Sequence, residues 1–293
     1  MLRRFVQSTL NYFGYSISRI PSPSKRARSA LAGILPPLDP VWPLPRQLGG
    51  LSAEEIRREF AKHELWHYAF EFEGGISFPA IHKVDCPSDY PEAPLQCFRH
   101  LMPHVLRAVN GNLQGKRVLD IACNSGFWSV QCALLGAEVV GFDARAEVIE
   151  QANLIKSIVG VNNVEFKVLD FWNMSPQALD GQFDMVLFIG SLHVLPDPLR
   201  ALELARAMTQ QWMLLDTVVH PTNDTVVKLY WGEEPIDIRQ PSRAGIVACP
   251  SKSSVDLMLR HIGVSDWFEI PVGDNPMPRP YREHRRASWL IKV

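Results

Sequence analysis

His63, Glu64 and His67 stand in the order "HELWH", the spacing at which two imidazoles one helical turn apart hold zinc and the carboxylate between them acts as base. Ser52 and Glu55 form a capping pair that opens a helix ahead of them, so the motif is expected on that helix or near its end. A working site also needs a third protein ligand and an open position for water. Phe70 stands where the extended zinc motif requires glycine, and Glu92 lies in proline-rich sequence. A zinc peptidase is therefore kept only as an alternative, and no metal is expected.

Three aspartates suggest a different chemistry. Asp120, Asp143 and Asp170 lie at or near the ends of the apolar runs "RVLDIA", "AEVVGFD" and "NNVEFKVLD". Such runs suit buried parallel strands, and an acid closing the second strand of such a unit can grip a ribose diol. Between the first run and the next helix lies "ACNSG", with Ala122, Asn124 and Gly126 at alternate positions. The dinucleotide pattern G-x-G-x-x-G would place its last glycine at Phe127, which tells against a pyrophosphate-bearing cofactor. Alanine adds little bulk and asparagine readily accepts positive φ, so the loop can still pass close to a ligand.

A proton acceptor working near neutral pH is sought among the histidines. His193 follows the fourth apolar run in "IGSLHVLPDP", at the sheet edge where open α/β folds bind ligands, while His67 and His82 come from the N-terminal segment. Arg285 and Arg286 belong to the basic stretch "PMPRPYREHRR", which suits an anionic acceptor, RNA phosphate or a phosphorylated carrier, although charge runs are usually solvated surface.

The elements that must carry these residues follow from periodicity. From about residue 115 strand-like and helix-like segments alternate: "FWSVQCALLG" and "EVIEQANLIKSIVG" are helices closed by glycine, and "GQFDMVLFIG" and "QWMLLDTVV" are further strands. "SSVDLMLRHIGV", "WFEIPV" and "RRASWLIKV" supply a last helix and two closing strands. The reading is an α/β domain over 113–293, a cover over 51–112 that shapes the acceptor side, a proline-rich linker over 21–50 and an amphipathic helix over 1–20. With 293 residues and a formal net charge of -1, the chain can bury a full core and has no global pull toward polyanions. Nucleic acid must be met locally, and the first helix offers a weak peripheral membrane contact. Five cysteines without a C-x-x-C pair suit reduced thiols, and no apolar run reaches the roughly 20 residues that span a bilayer, so a cytoplasmic protein is expected.

Taken in order, these segments resemble the class I S-adenosylmethionine-dependent methyltransferases over about residues 113–293, with "DIACNSG" in the place of that family's D-x-G-x-G-x-G loop. The resemblance implies a Rossmann-like, seven-stranded, mostly parallel sheet in the order 3-2-1-4-5-7-6, helices on both faces, and S-adenosylmethionine as donor. It places Asp120, Ala122, Asn124, Gly126, Asp143, Asp170, Phe171 and Ile189 at the donor, with Asp143 on the ribose, Asp170 on the adenine amino group and Phe171 over the ring. "WHYAFEFEGG", "VLDIACNSGFWS", "IGSLHVLPDPLRAL" and "RRASWLIKV" look like the branch that contains the tRNA wobble-uridine carboxymethyltransferase and related glycan- or metabolite-directed methyltransferases. That likeness implies Trp66, Tyr68 and Arg286 as substrate contacts and His193 and His67 as catalytic candidates. The carboxymethyl enzyme receives its donor's extra carboxylate on a lysine, a tyrosine and an arginine; those positions here carry Tyr68, His193 and Arg286, so only the arginine is kept. Methylation of a small or carrier-linked acceptor, such as a sugar hydroxyl, is the expectation. A tRNA wobble-uridine enzyme and a non-catalytic donor-binding module are the alternatives.

Overall fold

The computed structural model describes residues 33–81, 92–232 and 245–293; the expected helix over 1–20, the linker up to residue 32 and His82 lie outside them. The cover comprises helix α1 (Ala53–Phe60), a hairpin of β1 (Phe70–Phe72) and β2 (Ile76–Phe78), and helix α2 (Ala93–Ala108). The capping box opens α1 as expected, Ser52 Oγ accepting the Glu55 N–H and Glu55 accepting the Ser52 N–H at 2.8 Å.

Helix α1 ends at Phe60, before "HELWH" begins. The chain continues through turns and extended backbone, and Trp66 forms a single bridge with Ile81. His63 and His67 are therefore not stacked on one helical face; His63 meets Trp66 edge-on at 5.4 Å. Among the described residues no group of three histidine, cysteine, aspartate or glutamate side chains is arranged to hold a metal. The described part of the linker also departs from expectation, because it is laid against the domain. Leu44 is buried and its N–H donates to Glu71 O at 2.8 Å, and the Gln47 N–H donates to Ile158 O at 2.8 Å. Prolines leave few donors in this stretch, and neighbouring carbonyls take those that remain.

The sheet of the domain contains β3 (Arg117–Ile121), β4 (Glu138–Asp143), β5 (Val164–Val168), β6 (Phe183–Ile189), β7 (Thr209–Val218), and, beyond a small hairpin of β8 (Val227–Gly232) and β9 (Gly245–Pro250), β10 (Asp266–Glu269) and β11 (Arg286–Lys292). Its order is β10-β11-β7-β6-β3-β4-β5, the expected 3-2-1-4-5-7-6, and β11 runs antiparallel to both neighbours. Strand β3 is buried from Val118 to Ile121 because helices cover both faces of the sheet. Helices α3 (Phe127–Leu134), α4 (Ala146–Val159), α5 (Pro198–Met208), α6 (Lys252–His261) and α7 (Arg279–Arg282) connect the strands. Ala201, Leu202 and Ala205 of α5 and Val255 and Leu259 of α6 pack on one face. Phe98 and Leu101 of α2 with Phe127 and Cys132 of α3 pack on the other. The cover seats Phe60, Trp66, Phe70 and Phe72 against Val130 of α3 and Ile155 and Ile158 of α4. No helix among the described residues is long and apolar enough to cross a membrane.

Candidate active site

Strands β3 and β6 are neighbours, and the strand order reverses between them, so their carboxyl ends open a crevice of the kind in which open α/β sheets bind ligands. The loop leaving β3 is left-handed at every second residue: Ala122, Asn124 and Gly126 have φ of 55°, 52° and 80°. This is the alternation anticipated from residue size. Asn124 steadies its own turn, its Oδ1 accepting the Ser125 N–H at 2.7 Å. At Gly126 a Cβ would lie 2.7 Å from Phe166 Cζ, so any side chain there would force the Phe166 ring to move, in addition to the cost of the positive φ.

Asp143 closes β4, is buried, and accepts the Asn124 N–H at 3.2 Å, which ties the acid to the loop. The same carboxylate takes Arg145 Nε at 2.9 Å and Nη2 at 2.8 Å, a contact that sequence reading did not foresee. Asp120, expected at the donor, is held inside the sheet instead. It precedes the last residue of β3, and its carboxylate accepts Ser129 Oγ of α3 at 2.6 Å. Burial pushes its pKa up to about 7, while the Ser129 hydrogen bonds oppose the rise.

Asp170 is exposed beyond β5 and caps a 3-10 turn by accepting the Trp172 N–H at 2.9 Å. Phe171 does not stand free to cover a ring: it is buried and stacks on Phe188 of β6 at 5.6 Å. The half-buried ring at this edge is Trp172, with the Arg200 guanidinium 5.7 Å from its centre.

On the other side of the crevice, Ile189 ends β6, and Gly190 follows with its N–H on Asp216 O at 2.7 Å. His193 Nδ1 lies 3.2 Å from Thr217 Oγ1, and that hydroxyl donates to Val218 O at 3.2 Å. With the hydroxyl proton committed, Nδ1 is the donor of the pair and Nε2 keeps its lone pair. Burial, reinforced by the Arg286 cation and opposed by Asp216, lowers the His193 pKa to about 3. The ring is therefore neutral at physiological pH.

Arg286 was expected to meet an anion, but Asp216 already matches its charge. The Asp216 carboxylate, fully buried in β7, accepts Arg286 Nε at 2.8 Å, Arg286 Nη2, Tyr281 Oη and Ser288 Oγ at 2.6 Å. The basic stretch is further offset by the Arg279–Glu283 pair at 2.6 Å. From the cover, Tyr68 rests on Phe127 at 5.9 Å, beside the loop, with His67 4.5 Å from Tyr68. Trp66 is only 1% exposed and stacks on Phe60 at 4.1 Å, so its role is packing. A cleft of about 360 Å³ lies between α2 and the rest of the cover, bounded by Trp42, Leu95, Arg99 and Phe127, and holds none of the strand-end acids. In the crevice itself the buried Ser125 and Ser191 hydroxyls, one after β3 and one after β6, have no partner among the described residues. Such orphaned hydroxyls fit a polar ligand lying across the reversal.

With sheet order, loop and strand-end acid in place, the comparisons agree with the geometry: residues 112–227 match the family model described as "Methyltransferase domain". The chain is 29% identical over 127 residues to the ubiquinone biosynthesis O-methyltransferase of Bordetella avium, a match covering 43% of this chain. It spans about half, 52%, of that relative's length. It is 25% identical over 137 residues to the tRNA U34 carboxymethyltransferase of Helicobacter hepaticus, covering 44% of this chain and 43% of that protein. Among solved structures, the N-terminal domain of EvdMO1, crystallised in the presence of SAH and D-fucose, shares the fold with a TM-score of 0.63 at 20% identity, over 84% of this chain and 98% of that one.

Proposed function

We propose that the chain is an S-adenosylmethionine-dependent methyltransferase acting on a hydroxyl of a small or carrier-linked molecule, with sugars as the favoured class. The observation that carries this reading is the alternating left-handed loop, Ala122, Asn124 and Gly126, hydrogen-bonded to buried Asp143 at the strand-order reversal. Asp143 would hold the ribose diol, the loop and Ser125 the amino-acid end, and Asp170 with Trp172 the adenine edge. When bound, the donor supplies an electrophilic methyl group: the acceptor oxygen takes the methyl carbon as the carbon–sulfur bond breaks and its electron pair returns to sulfur.

The chain's own part is alignment and exclusion of water. His193 Nε2 accepts the acceptor hydroxyl's hydrogen bond and so aims a lone pair of that oxygen. With a pKa of about 3, the ring orients the proton rather than storing it, and the proton passes to solvent. Oxygen as the methylated atom is supported by the name of the Bordetella avium relative, and a sugar by the D-fucose used with the EvdMO1 domain. The Helicobacter hepaticus relative favours a second reading, a wobble-uridine enzyme using a carboxylated donor. Against it stand Tyr68 and His193 at the positions where the resemblance to the carboxymethyl branch implies lysine and tyrosine, and the pairing of Arg286 with Asp216.

Calorimetry with S-adenosylhomocysteine tests the donor site. Asp143→Ala is expected to weaken binding roughly 10- to 100-fold, the worth of hydrogen bonds to a charged group; equal affinity in variant and wild type defeats the reading. Extracts incubated with isotopically labelled donor then report the acceptor. Label in a tRNA nucleoside would replace the sugar proposal, and donor binding with no labelled product would favour a non-catalytic module.

A further inference from the structure

An ionised carboxylate offers about four acceptor positions, and at Asp143 the structure fills four. Oδ1 receives the Arg145 backbone N–H at 3.1 Å and Arg145 Nε at 2.9 Å, while Oδ2 receives the Asn124 N–H at 3.2 Å and Arg145 Nη2 at 2.8 Å. The two backbone donors are set by the fold. The other two belong to one side chain that turns back from the residue preceding α4. The Arg145 side chain remains about one-fifth exposed, 20%, while its third guanidinium nitrogen, Nη1, is buried with no hydrogen-bond partner among the described residues, so the closed fork leaves one donor unsatisfied.

A ribose diol can donate to Asp143 only after this fork lets go. We infer that Arg145 is a latch on the donor site, competing within the molecule for the carboxylate oxygens that the donor's ribose requires; the inference rests on the donor reading above. The latch is soft on one side only. Asn124 and the Arg145 backbone keep Asp143 in place when the guanidinium swings out, so the acid stays oriented toward an incoming diol. The fork also compensates an otherwise naked buried carboxylate in the ligand-free protein. Donor binding thus exchanges one set of hydrogen bonds for another, and apparent affinity is reduced by the fraction of molecules in which the fork is closed.

The test is S-adenosylhomocysteine binding kinetics on the full chain for wild type, Arg145→Ala and Arg145→Lys, together with their ligand-free melting temperatures. If the closed fork holds about nine-tenths of the molecules, Arg145→Ala tightens apparent affinity about tenfold. The gain is expected in the association rate, with dissociation unchanged, because the fork is open in both complexes. Melting of ligand-free Arg145→Ala is expected at lower temperature. Tighter binding in a less stable protein separates a latch from a structural residue, whose loss would lower both. Arg145→Lys, which keeps the charge without the fork, falls between the two and carries the test alone should Arg145→Ala not fold. Unchanged or weaker binding by Arg145→Ala, or by Arg145→Lys in that case, or a gain confined to dissociation, overturns the latch and leaves the donor reading standing if wild type binds. No binding by any of the proteins removes the donor reading and the latch with it.

Discussion

Ala122 and Asn124 reach left-handed φ without the freedom of glycine, and they do so on unequal terms. The cost of that region for an L residue is about 1–2 kcal/mol. Asn124 recovers part of it through its own hydrogen bond to the Ser125 N–H, whereas no side-chain atom of alanine can do the same. Ala122→Gly is therefore expected to stabilise the protein by roughly 0.5–1 kcal/mol after glycine's larger unfolded-state entropy is subtracted. Asn124→Gly is expected to be close to neutral. Urea unfolding of both variants decides it, and a destabilised Ala122→Gly would show that the strain account is wrong. This part of the site was legible in the sequence because a demand for positive φ selects residue types directly. The Arg145 fork was not, since an arginine after a strand end is as often solvated as folded back. Asp120 misled for a related reason: in a strand, a shift of one residue reverses the face a side chain points to, and residue type does not report that parity.

The sheet and its helices were legible because burial on both faces demands long apolar runs, as in "DMVLFI" of β6, and glycine marks helix ends, as Gly160 does after α4. The hairpin β8–β9 is not legible in the hydrophobic pattern because its apolar residues Leu229, Trp231 and Ile246 face outward, so no burial alternation frames it. The β-branched and aromatic run "TVVKLYWG" was the available cue. The end of α1 was equally hidden: Trp66 stacking on Phe60 requires the chain to leave the helix, a tertiary demand with no local stop residue. Docking of the linker and the cover depends on two buried glutamines. Gln131 exchanges hydrogen bonds of 2.9 Å with both the N–H and the carbonyl of Val41, as a strand partner would, and Gln151 Nε2 donates to Leu65 O at 2.7 Å. Gln131→Ala leaves the Val41 backbone unpaired against α3, at a cost of about 1–3 kcal/mol. Amide exchange at Val41 and Leu44 is expected to accelerate in this variant while β3 and β6 keep their protection; uniform acceleration would mean that the linker does not open separately from the sheet.

For the whole molecule, a buried carboxyl, Asp120, and a half-buried imidazole, His193, shift in directions that oppose each other. His193 titrates at about 3 when folded against 6.5 when free, so between those values the unfolded chain carries the extra proton and stability falls as pH falls. Asp120 titrates at about 7 against 3.8, so between those values the folded chain carries the extra proton and stability falls as pH rises. Each slope is about 1.4 kcal/mol per pH unit, and they cancel from 3.8 to 6.5. His100, lowered by burial, and Asp256, raised by burial, repeat the opposition. Urea unfolding between pH 4.5 and 6.5 is thus expected to reveal a falling stability with rising pH in His193→Gln and the reverse trend in Asp120→Asn; parallel profiles would refute the compensation.

The strand-order reversal also sorts the chemistry. Asp143, Asp170 and the alternating loop follow β3, β4 and β5, whereas His193, Thr217, Asp216 and Arg286 belong to β6, β7, β11 and the segments just past their ends. The hydrogen bonds of the first set stay within it, as Asn124 to Asp143, and those of the second within it, as Ser288 to Asp216. Under the proposed donor reading, mutational libraries confined to the β7 and β11 ends, which leave Ile189 and Ser191 untouched, should therefore re-specify the acceptor while leaving nucleoside recognition alone, a division that would let directed evolution explore new alkylation targets on an unchanged donor half.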